Sequence, residues 1–385
     1  MFTYGSLLGL AERYNGTVIL SSGHYDYLAR IFNLSKFYFV DDNACLNKDI
    51  FSIWERWPSR FDANVQNKLS QFLKDLQNNV TIKLITTESQ KNKMFKINFD
   101  KNYHYPIVKI FHFLQSWRYF ENTELRSVFR FQTWIDSSVQ IILQQRTKEI
   151  LLEKRFPTFL STFSSNLTTS SENSFKSHFI SFEKRKFIHL TDKKIIEVVY
   201  IGVHIRRRDM TNPNEIRRGY LSAPKEYIDR AIQLFESEFL KWGNDEFKKL
   251  TDRNNWVDKT LVFIVSSDDV QWASQNVKSS YPIIYTHELR SRTFNLTSTE
   301  EINLMKKFAS QKLSMGVNMF DTAVDLAILS ACQHVIMTVG TFGWWAGFLS
   351  GGTVVYYKNY PSPNTEIGSG FLAEDYYPPN WISMT

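Results

Sequence analysis

Cysteine is nearly absent from this chain. Cys45 and Cys332 are the only two among 385 residues. Two thiols supply neither a disulfide framework nor a structural zinc site. Cys332 lies in an apolar helical stretch and reads as a buried thiol. No run of about 18 apolar residues occurs, so no transmembrane helix is predicted. No stretch has the build of a secretory signal. No G-x-G-x-x-G follows an apolar run, which removes the usual dinucleotide fingerprint. No D-x-D stands at a strand end, since the acids at 41–42 and 268–269 are adjacent. The net charge of +7 and pI near 9.1 favour acidic partners. No nucleic-acid module is legible, so nucleic acid is not an expected partner. A local basic site suffices for an anionic ligand.

Aromatic residues are plentiful, at 15% with 31 Phe. They fill cores and also stack on sugar rings, and composition does not separate the two roles. The length predicts two domains. From residue 196 the pattern alternates: strand 196–205, helix 224–241, strand 261–266, helix 269–276, strand 281–286, helix 321–332, strand 334–338, helix 343–350, strand 353–356. That is the βαβ rhythm of a doubly wound sheet. Earlier, Leu7, Leu8, Leu10, Ala11 and Tyr14 give a helical face, and residues 17–20 read as a strand. Residues 50–77 carry amphipathic helical patches, and 107–114 reads as a strand. Residues 126–131 and 137–145 read as helix, and the Ser/Thr/Asn-rich stretch 161–175 as a loop. The charged approach at 184–194 sets the expected boundary, giving domains 1–195 and 196–385. Trp381 and the Pro378–Pro379 pair mark a tail expected to pack back on the N-terminal half.

Three strand ends carry the chemistry. Val198–Met210, V-V-Y-I-G-V-H-I-R-R-R-D-M, is an apolar run that ends in His204, Arg206, Arg207, Arg208 and Asp209. Ligands of open α/β sheets bind outside the carboxyl ends of strands. A guanidinium fork suits phosphate oxygens there. Taken alone, a solvated basic turn explains the run as well. Leu261–Asp269 is a second apolar strand with a Ser/Asp edge, and 325–352 reads as helix, short strand, glycine-containing turn and helix.

H-I-R-R-R-D at 204–209 resembles the H-x-R-R-x-D motif of α-1,2-fucosyltransferases. The segment 263–273, F-I-V-S-S-D-D-V-Q-W-A, is similar to that family's second motif. H-V-I-M-T-V-G-T-F-G-W-W-A-G-F-L-S-G-G at 334–352 resembles its long third motif, and L-Q-S-W-R-Y-F at 114–120 a segment of its first half. The resemblance implies two Rossmann-like domains facing across a cleft, the GT-B arrangement. It implies an N-terminal acceptor-side domain and a C-terminal domain that binds GDP-fucose. The implied reaction moves fucose, with inversion, to the 2-hydroxyl of a terminal galactoside on a glycan. No cofactor is implied, and with no D-x-D the arginines are expected to replace a metal.

On this resemblance Arg206 is the first choice to hold the β-phosphate, where a cation meets charge growing in the transition state. Arg207 either joins it or braces the loop through a carboxylate. His204 contacts the donor or is held by backbone. Gly340, Thr341 and Phe342 form a turn before a helix, whose exposed N–H groups bind phosphate. Thr338 and Thr341 add hydroxyls. Ser266, Ser267 and Asp268 are assigned loosely to ribose or guanine. Trp344 and Trp345 stack on a ligand or pack a helix, with packing preferred. Asp209 is the nearest carboxylate for a general base, and holding an arginine is its preferred alternative role.

Met1 and Phe2 resemble the last two residues of the family's G-R-x-G-N-Q-M-F loop. The resemblance therefore predicts that the chain as given lacks a preceding strand, the rest of that loop, and the N-terminal membrane anchor of a Golgi enzyme. Five N-x-S/T sequons, at Asn15, Asn33, Asn79, Asn166 and Asn295, accord with a lumenal location. Two rival readings stay open. One is a non-catalytic, transferase-like glycan-binding protein. The other is a fucosyltransferase of another linkage, protein O- or α-1,6-.

Overall fold

The structure is a computed structural model. It describes residues 1–13, 18–34, 37–40, 50–54, 86–87, 94–97, 107–111, 115–153, 159–162, 187–190, 195–248, 256–293 and 296–385, with the single positions 67, 70 and 71. The chain is α/β throughout the described residues. It divides into two compact units, residues 1–132 with 366–379, and residues 133–365 with 380–385.

The N-terminal unit opens with the helix Phe2–Arg13, which covers the apolar face expected there. Gly9 lets it approach the chain closely, since a Cβ at that position would lie 2.1 Å from the Tyr119 carbonyl oxygen. Strands β1 (Ile19–Ser21), β2 (Phe37–Val40), β3 (Ile50–Trp54), β4 (Thr86–Thr87), β5 (Met94–Ile97) and β6 (Ile107–Phe111) follow. They pair as β1-β2-β5-β4 and β3-β6. Residues 50–54 are thus strand rather than the expected helical patch. A short apolar run carries either period, and here parallel pairing with β6 selects the extended form. The tail segment 366–379 belongs to this unit. Arg118 Nε lies 2.7 Å from Asp375 Oδ1, Ser116 Oγ donates to the Asp375 carbonyl at 2.6 Å, and Trp117 Nε1 donates to the Glu374 carbonyl at 2.9 Å. Pro378 lies in that crossing segment, whereas Trp381 stays in the C-terminal unit against Trp344, with ring centroids 5.2 Å apart.

The C-terminal unit holds an eight-stranded sheet. Its strands are β7 (Phe159–Thr162), β8 (Phe187–Leu190), β9 (Ile195–Ile205), β10 (Trp256–Ser267), β11 (Ile283–Tyr285), β12 (His334–Met337), β13 (Val354–Tyr357) and β14 (Ile382–Met384). The main order is β11-β10-β9-β12-β13-β14, parallel at every step. Strands β7 and β8 add antiparallel at the amino halves of β10 and β9. Val198–Ile201 and Leu261–Val265 are continuous apolar runs because both sheet faces are covered. One face packs on the helix Lys225–Lys248 through Tyr227, Ile228, Ala231, Ile232 and Phe235. Tyr227 Oη donates to the Met337 and Val355 carbonyls, at 2.6 and 3.1 Å, and so pins that helix under the sheet. The other face meets the helix Val317–Ala331. Gly202 admits it, since a Cβ there would stand 3.1 Å from Leu329 Cδ2 and 3.4 Å from Cys332 Sγ. Cys332 is buried, as expected.

The strand order reverses direction at β9. Its neighbour on one side follows it in sequence, and its neighbour on the other side is β12. That is a topological switch point, where a crevice opens at the carboxyl ends.

The compact units part at residue 132/133, about sixty residues before the boundary expected at 195. Packing gives the reason. The helix Thr133–Glu153 is built on the C-terminal unit, with Trp134 stacked on Phe320 at 6.1 Å and edge-on to Phe308 at 6.2 Å. Of the helices expected nearby, 126–131 shortens to Leu125–Val128, while 137–145 extends in both directions. A helix not expected at all, Thr299–Met315, starts with a capping box in which Ser298 and Glu301 satisfy each other's backbone N–H.

Candidate functional site

The carboxyl ends of β9, β10 and β12 assemble nearly every residue singled out in the sequence. At the switch point, Thr338 Oγ1 accepts from the Arg206 amide at 3.0 Å, and the Thr338 amide donates to the His204 carbonyl at 3.1 Å. These two bonds lock the exit of β9 to the exit of β12.

Arg206 is held from one side. Its Nε lies 3.1 Å from both oxygens of Asp209, and its Nη2 also bonds Oδ2. The other edge of the fork points at Gly340, where a Cβ would fall 2.7 Å from Arg206 Nη1. Gly340 has φ +91° and stands at the N-cap of the helix Thr341–Ser350. It is glycine for both reasons, conformation and space. The first turn of that helix holds no acidic residue, and Gly340 has no side chain to cap it. Its leading amides therefore receive no bond from the N-cap residue, and they start beside a guanidinium. The hydrogen bond from Arg206 holds the Asp209 carboxyl below the usual carboxylate range. Burial pushes the Arg206 guanidinium down, while Asp209 raises it, and the net shift is upward.

His204 is buried beneath this turn. A Cβ on Gly343 would lie 2.5 Å from its Nδ1, and its ring sits 5.1 Å from that of Phe342. Nδ1 has no hydrogen-bond partner among the described residues. Burial, with the Arg206 charge adding to it, holds the imidazole down at about 3, so it is neutral at physiological pH.

Arg207 turns away from the helix. Its guanidinium lies 3.9 Å above the Trp272 ring and 3.8 Å from Asp269 Oδ2. Of its two expected roles, this geometry is the brace. Arg208 is exposed, and its amide shares the Asp268 carboxylate with the amide of Arg207, at 3.2 and 2.8 Å. Both Asp268 oxygens are therefore engaged in shaping the arginine loop. Ser267 Oγ accepts from the Asp269 amide at 3.0 Å, and Asp269 caps the helix Val270–Asn276 through the Trp272 amide. Ser266 Oγ donates to Asp325 Oδ2 at 2.8 Å. All three β10-edge residues assigned loosely to ribose or guanine thus bond within the protein. Trp344 and Trp345 are buried and pack against each other, with ring centroids 5.0 Å apart, as helix-packing residues. Thr341 and Phe342, expected in a turn before the helix, are its first two residues and are half-buried.

Sequence reasoning missed Trp272, Asp325, Arg290 and the tyrosines Tyr220 and Tyr360. The tyrosine rings lie 6.4 Å apart beside the Arg206–Asp209 pair. Burial first, with the Tyr220 hydroxyl adding to it, pushes the Tyr360 phenol up to about 12. The Ser362 amide bonds the Gly219 carbonyl at 3.0 Å and holds the two tyrosine segments together. Among the described residues no group of three or more His, Cys, Asp or Glu could hold a metal ion. No helix of the described residues is long and apolar enough to cross a membrane. Of the five sequons, Asn33 lies among the described residues and is exposed. Asn15, Asn79, Asn166 and Asn295 lie outside them, as does Cys45.

A parallel sheet with a guanidinium and an uncapped helix N-terminus at its switch point is an arrangement that can hold an anion. Residues 287–385 match the model of glycosyl transferase family 11. Galactoside α-(1,2)-fucosyltransferase 2 of Sus scrofa is 27% identical over 187 residues, which cover 48% of this chain and 41% of that protein. Galactoside 2-α-L-fucosyltransferase Sec1 of Mus musculus is 26% identical over 186 residues, covering 48% and 38%. The chain thus spans about two fifths of the length of these curated relatives. On these matches the chain resembles glycosyl transferase family 11 over residues 287–385. A crystal structure titled NodZ α-1,6-fucosyltransferase soaked with GDP-fucose aligns over 90% of this chain and 87% of its own. Its TM-score is 0.32 at 12% identity, too slight a likeness to bear on fold or activity.

Proposed function

We propose that this protein is an inverting fucosyltransferase that moves L-fucose from GDP-fucose to the 2-hydroxyl of a terminal galactoside. The observation that carries the reading is the pairing of Arg206 Nη1 with the uncapped helix N-terminus at Gly340. A diphosphate seated there meets a fixed cation and backbone N–H groups on adjoining sides. As the sugar–phosphate bond breaks, charge grows on the β-phosphate, and both donors are already aimed at it. Asp209 keeps the guanidinium in place. Thr338 fixes the Arg206 backbone, and Asp268 fixes the next two amides. His204, neutral and buried under the turn, presents Nδ1 without adding a second charge.

The role of the metal in other nucleotide-sugar sites falls to Arg206. The C-terminal unit is the donor side, and the acceptor falls to the N-terminal unit. The compartment that goes with this reading is the Golgi, with the catalytic part in the lumen.

The test is transfer of labelled fucose from GDP-fucose to a terminal β-galactoside, with the product analysed for anomeric form and linkage. An α-fucosyl group on O2 of galactose is expected. Fucose on another hydroxyl would overturn the linkage, and donor binding without transfer to any acceptor would favour a glycan-binding role.

A further inference from the structure

The sequons play no part in the chemistry proposed above, and Asn33 is the one of the five that lies among the described residues. It heads Asn33-Leu34-Ser35, an asparagine with a hydroxyl residue two positions on. The sequence alone makes the five segments equivalent. The fold gives Asn33 a definite place.

Asn33 stands two residues past the end of the helix Ser22–Ile31. There the chain runs extended for a short stretch. Phe32 forms an antiparallel bridge with Phe131, the Asn33 amide donates to the Arg130 carbonyl at 2.6 Å, and the Gln132 amide donates to the Ile31 carbonyl at 2.9 Å. Gln132 Nε2 adds bonds to the Ala29 and Phe32 carbonyls, at 2.7 and 3.1 Å. These bonds hold the backbone of the segment without using the Asn33 side chain. Phe32 points inward, with 1% of its surface exposed and its ring 5.2 Å from that of Phe129 and 5.1 Å from that of Phe131. Successive side chains of an extended stretch point to opposite sides, so Asn33 points outward, and it is exposed.

The preceding helix has the same sidedness. Leu28 and Ile31 are buried, three positions apart, while Asp26, Tyr27 and Arg30 are exposed. The outward side therefore runs from Tyr27 through Arg30 to Asn33. Tyr27, 51% exposed, offers a sugar ring an aromatic surface there. A side that carries both charges suits a solvated oligosaccharide better than the core of a protein contact.

We infer that Asn33 carries an N-linked oligosaccharide. The inference rests on the lumenal location proposed above, because the secretory compartment supplies the donor, a lipid-diphosphate oligosaccharide, and its transferase. Asn33 Nδ2 bonds to the anomeric carbon of the first sugar, the bond from that carbon to the lipid diphosphate breaks, and Nδ2 gives up one proton to a base of the transferase. The Ser35 hydroxyl marks the segment for that enzyme. The sugar replaces one hydrogen on a side chain that already faces water, so no buried contact is lost. It then covers the outer side of the helix Ser22–Ile31 and keeps other macromolecules off it.

The test expresses the full chain behind an appended secretory signal in a eukaryotic cell, which assures access to the transferase. Peptide-N-glycosidase in heavy-oxygen water then leaves a labelled aspartate wherever a glycan stood, and peptide mass spectrometry reads the position. Label at position 33 is expected. Asn33→Gln and Ser35→Ala are each expected to remove one glycan's step of gel mobility, while Ser35→Thr, which keeps the hydroxyl, retains it. The wild-type peptide carries the test even where a variant fails to fold. An unlabelled Asn33 in this chain, or a label there that survives Ser35→Ala, overturns the inference. Label at Asn33 here, with the protein from its own cells bare at every sequon, overturns the lumenal reading instead, so the two fail separately.

Discussion

The exits of β9 and β12 lie side by side at the switch point, yet they are built by opposite means. The β9 exit is charged, and its charges are distributed. Asp209 holds the Arg206 side chain, Asp268 holds two amides, and Asp269 with Trp272 holds Arg207. The β12 exit has no charge at all. It is shaped by close packing, with Gly340 and Gly343 letting Arg206 and His204 lie against the backbone. One side aims a cation through carboxylates, and the other starts a helix whose N-cap residue has no side chain to bond the leading N–H groups. The difference teaches that of two neighbouring arginines Arg206 lies against the helix start while Arg207 turns to Trp272.

The largest break in this arrangement is Arg206→Ala. It is expected to lower transfer by at least about 100-fold, the scale for losing a donor to a developing oxyanion, with an unchanged circular dichroism spectrum. Steady-state kinetics with GDP-fucose read it. Activity within threefold of wild type would mean that the cation is aimed elsewhere.

Gly340→Ala attacks the other side. The residue would be strained at φ +91°, and its Cβ would push Arg206 Nη1 from 2.7 Å. A stability loss of about 1–3 kcal/mol is expected from the backbone alone. GDP affinity should fall with it, whereas Gly316→Ala, at φ +79° but in open space, should lose stability without losing affinity. Thermal unfolding and calorimetry separate the two.

A smaller effect sharpens the contrast between buried and exposed groups. His204 and His334 are both held at about 3, chiefly by burial, against an ordinary value of 6.5. A depressed histidine favours the folded state fully above the unfolded value. That stability is therefore lost as pH falls from about 6.5 toward 3. Unfolding temperatures should decline over this window, and His204→Gln should flatten part of the decline. Asp209 adds a loss in the same direction at the acid end, since its carboxyl is also depressed.

Arg207→Gln is expected to have the smallest effect on chemistry. It removes a cation–π contact worth about 0.5–2 kcal/mol and lowers the unfolding temperature, while transfer stays within about threefold. A loss as deep as that of Arg206→Ala would place both arginines on the diphosphate.

Much of the site was legible because the strands that deliver it are apolar on both faces and stop abruptly. β9, β10 and β12 lie where the runs of Val, Ile and Leu put them. The helix after Gly340 was legible to within two residues, expected from 343 and found from Thr341. Asp325 was not legible, because its partners stand 59, 39 and 35 positions away and no local pattern links them. The helix Thr299–Met315 is polar on most of its surface, which hid its period, although Ser298-x-x-Glu301 was a start signal in plain view. The roles of Arg206 and Arg207 could not be told apart in sequence. What separates them is Trp272 on one side and Gly340 on the other, and each lies on a different helix.

The most direct test of the central claim compares GDP with GMP by calorimetry, on wild type and on Arg206→Ala. The two ligands differ only in the β-phosphate that Arg206 and the Gly340 turn are proposed to hold. Wild type is expected to bind GDP at least about tenfold more tightly than GMP, a gap of about 1.4 kcal/mol or more, and Arg206→Ala to erase that gap while leaving GMP affinity nearly unchanged. Equal binding of GDP and GMP by wild type, or a gap that survives Arg206→Ala, would contradict the account.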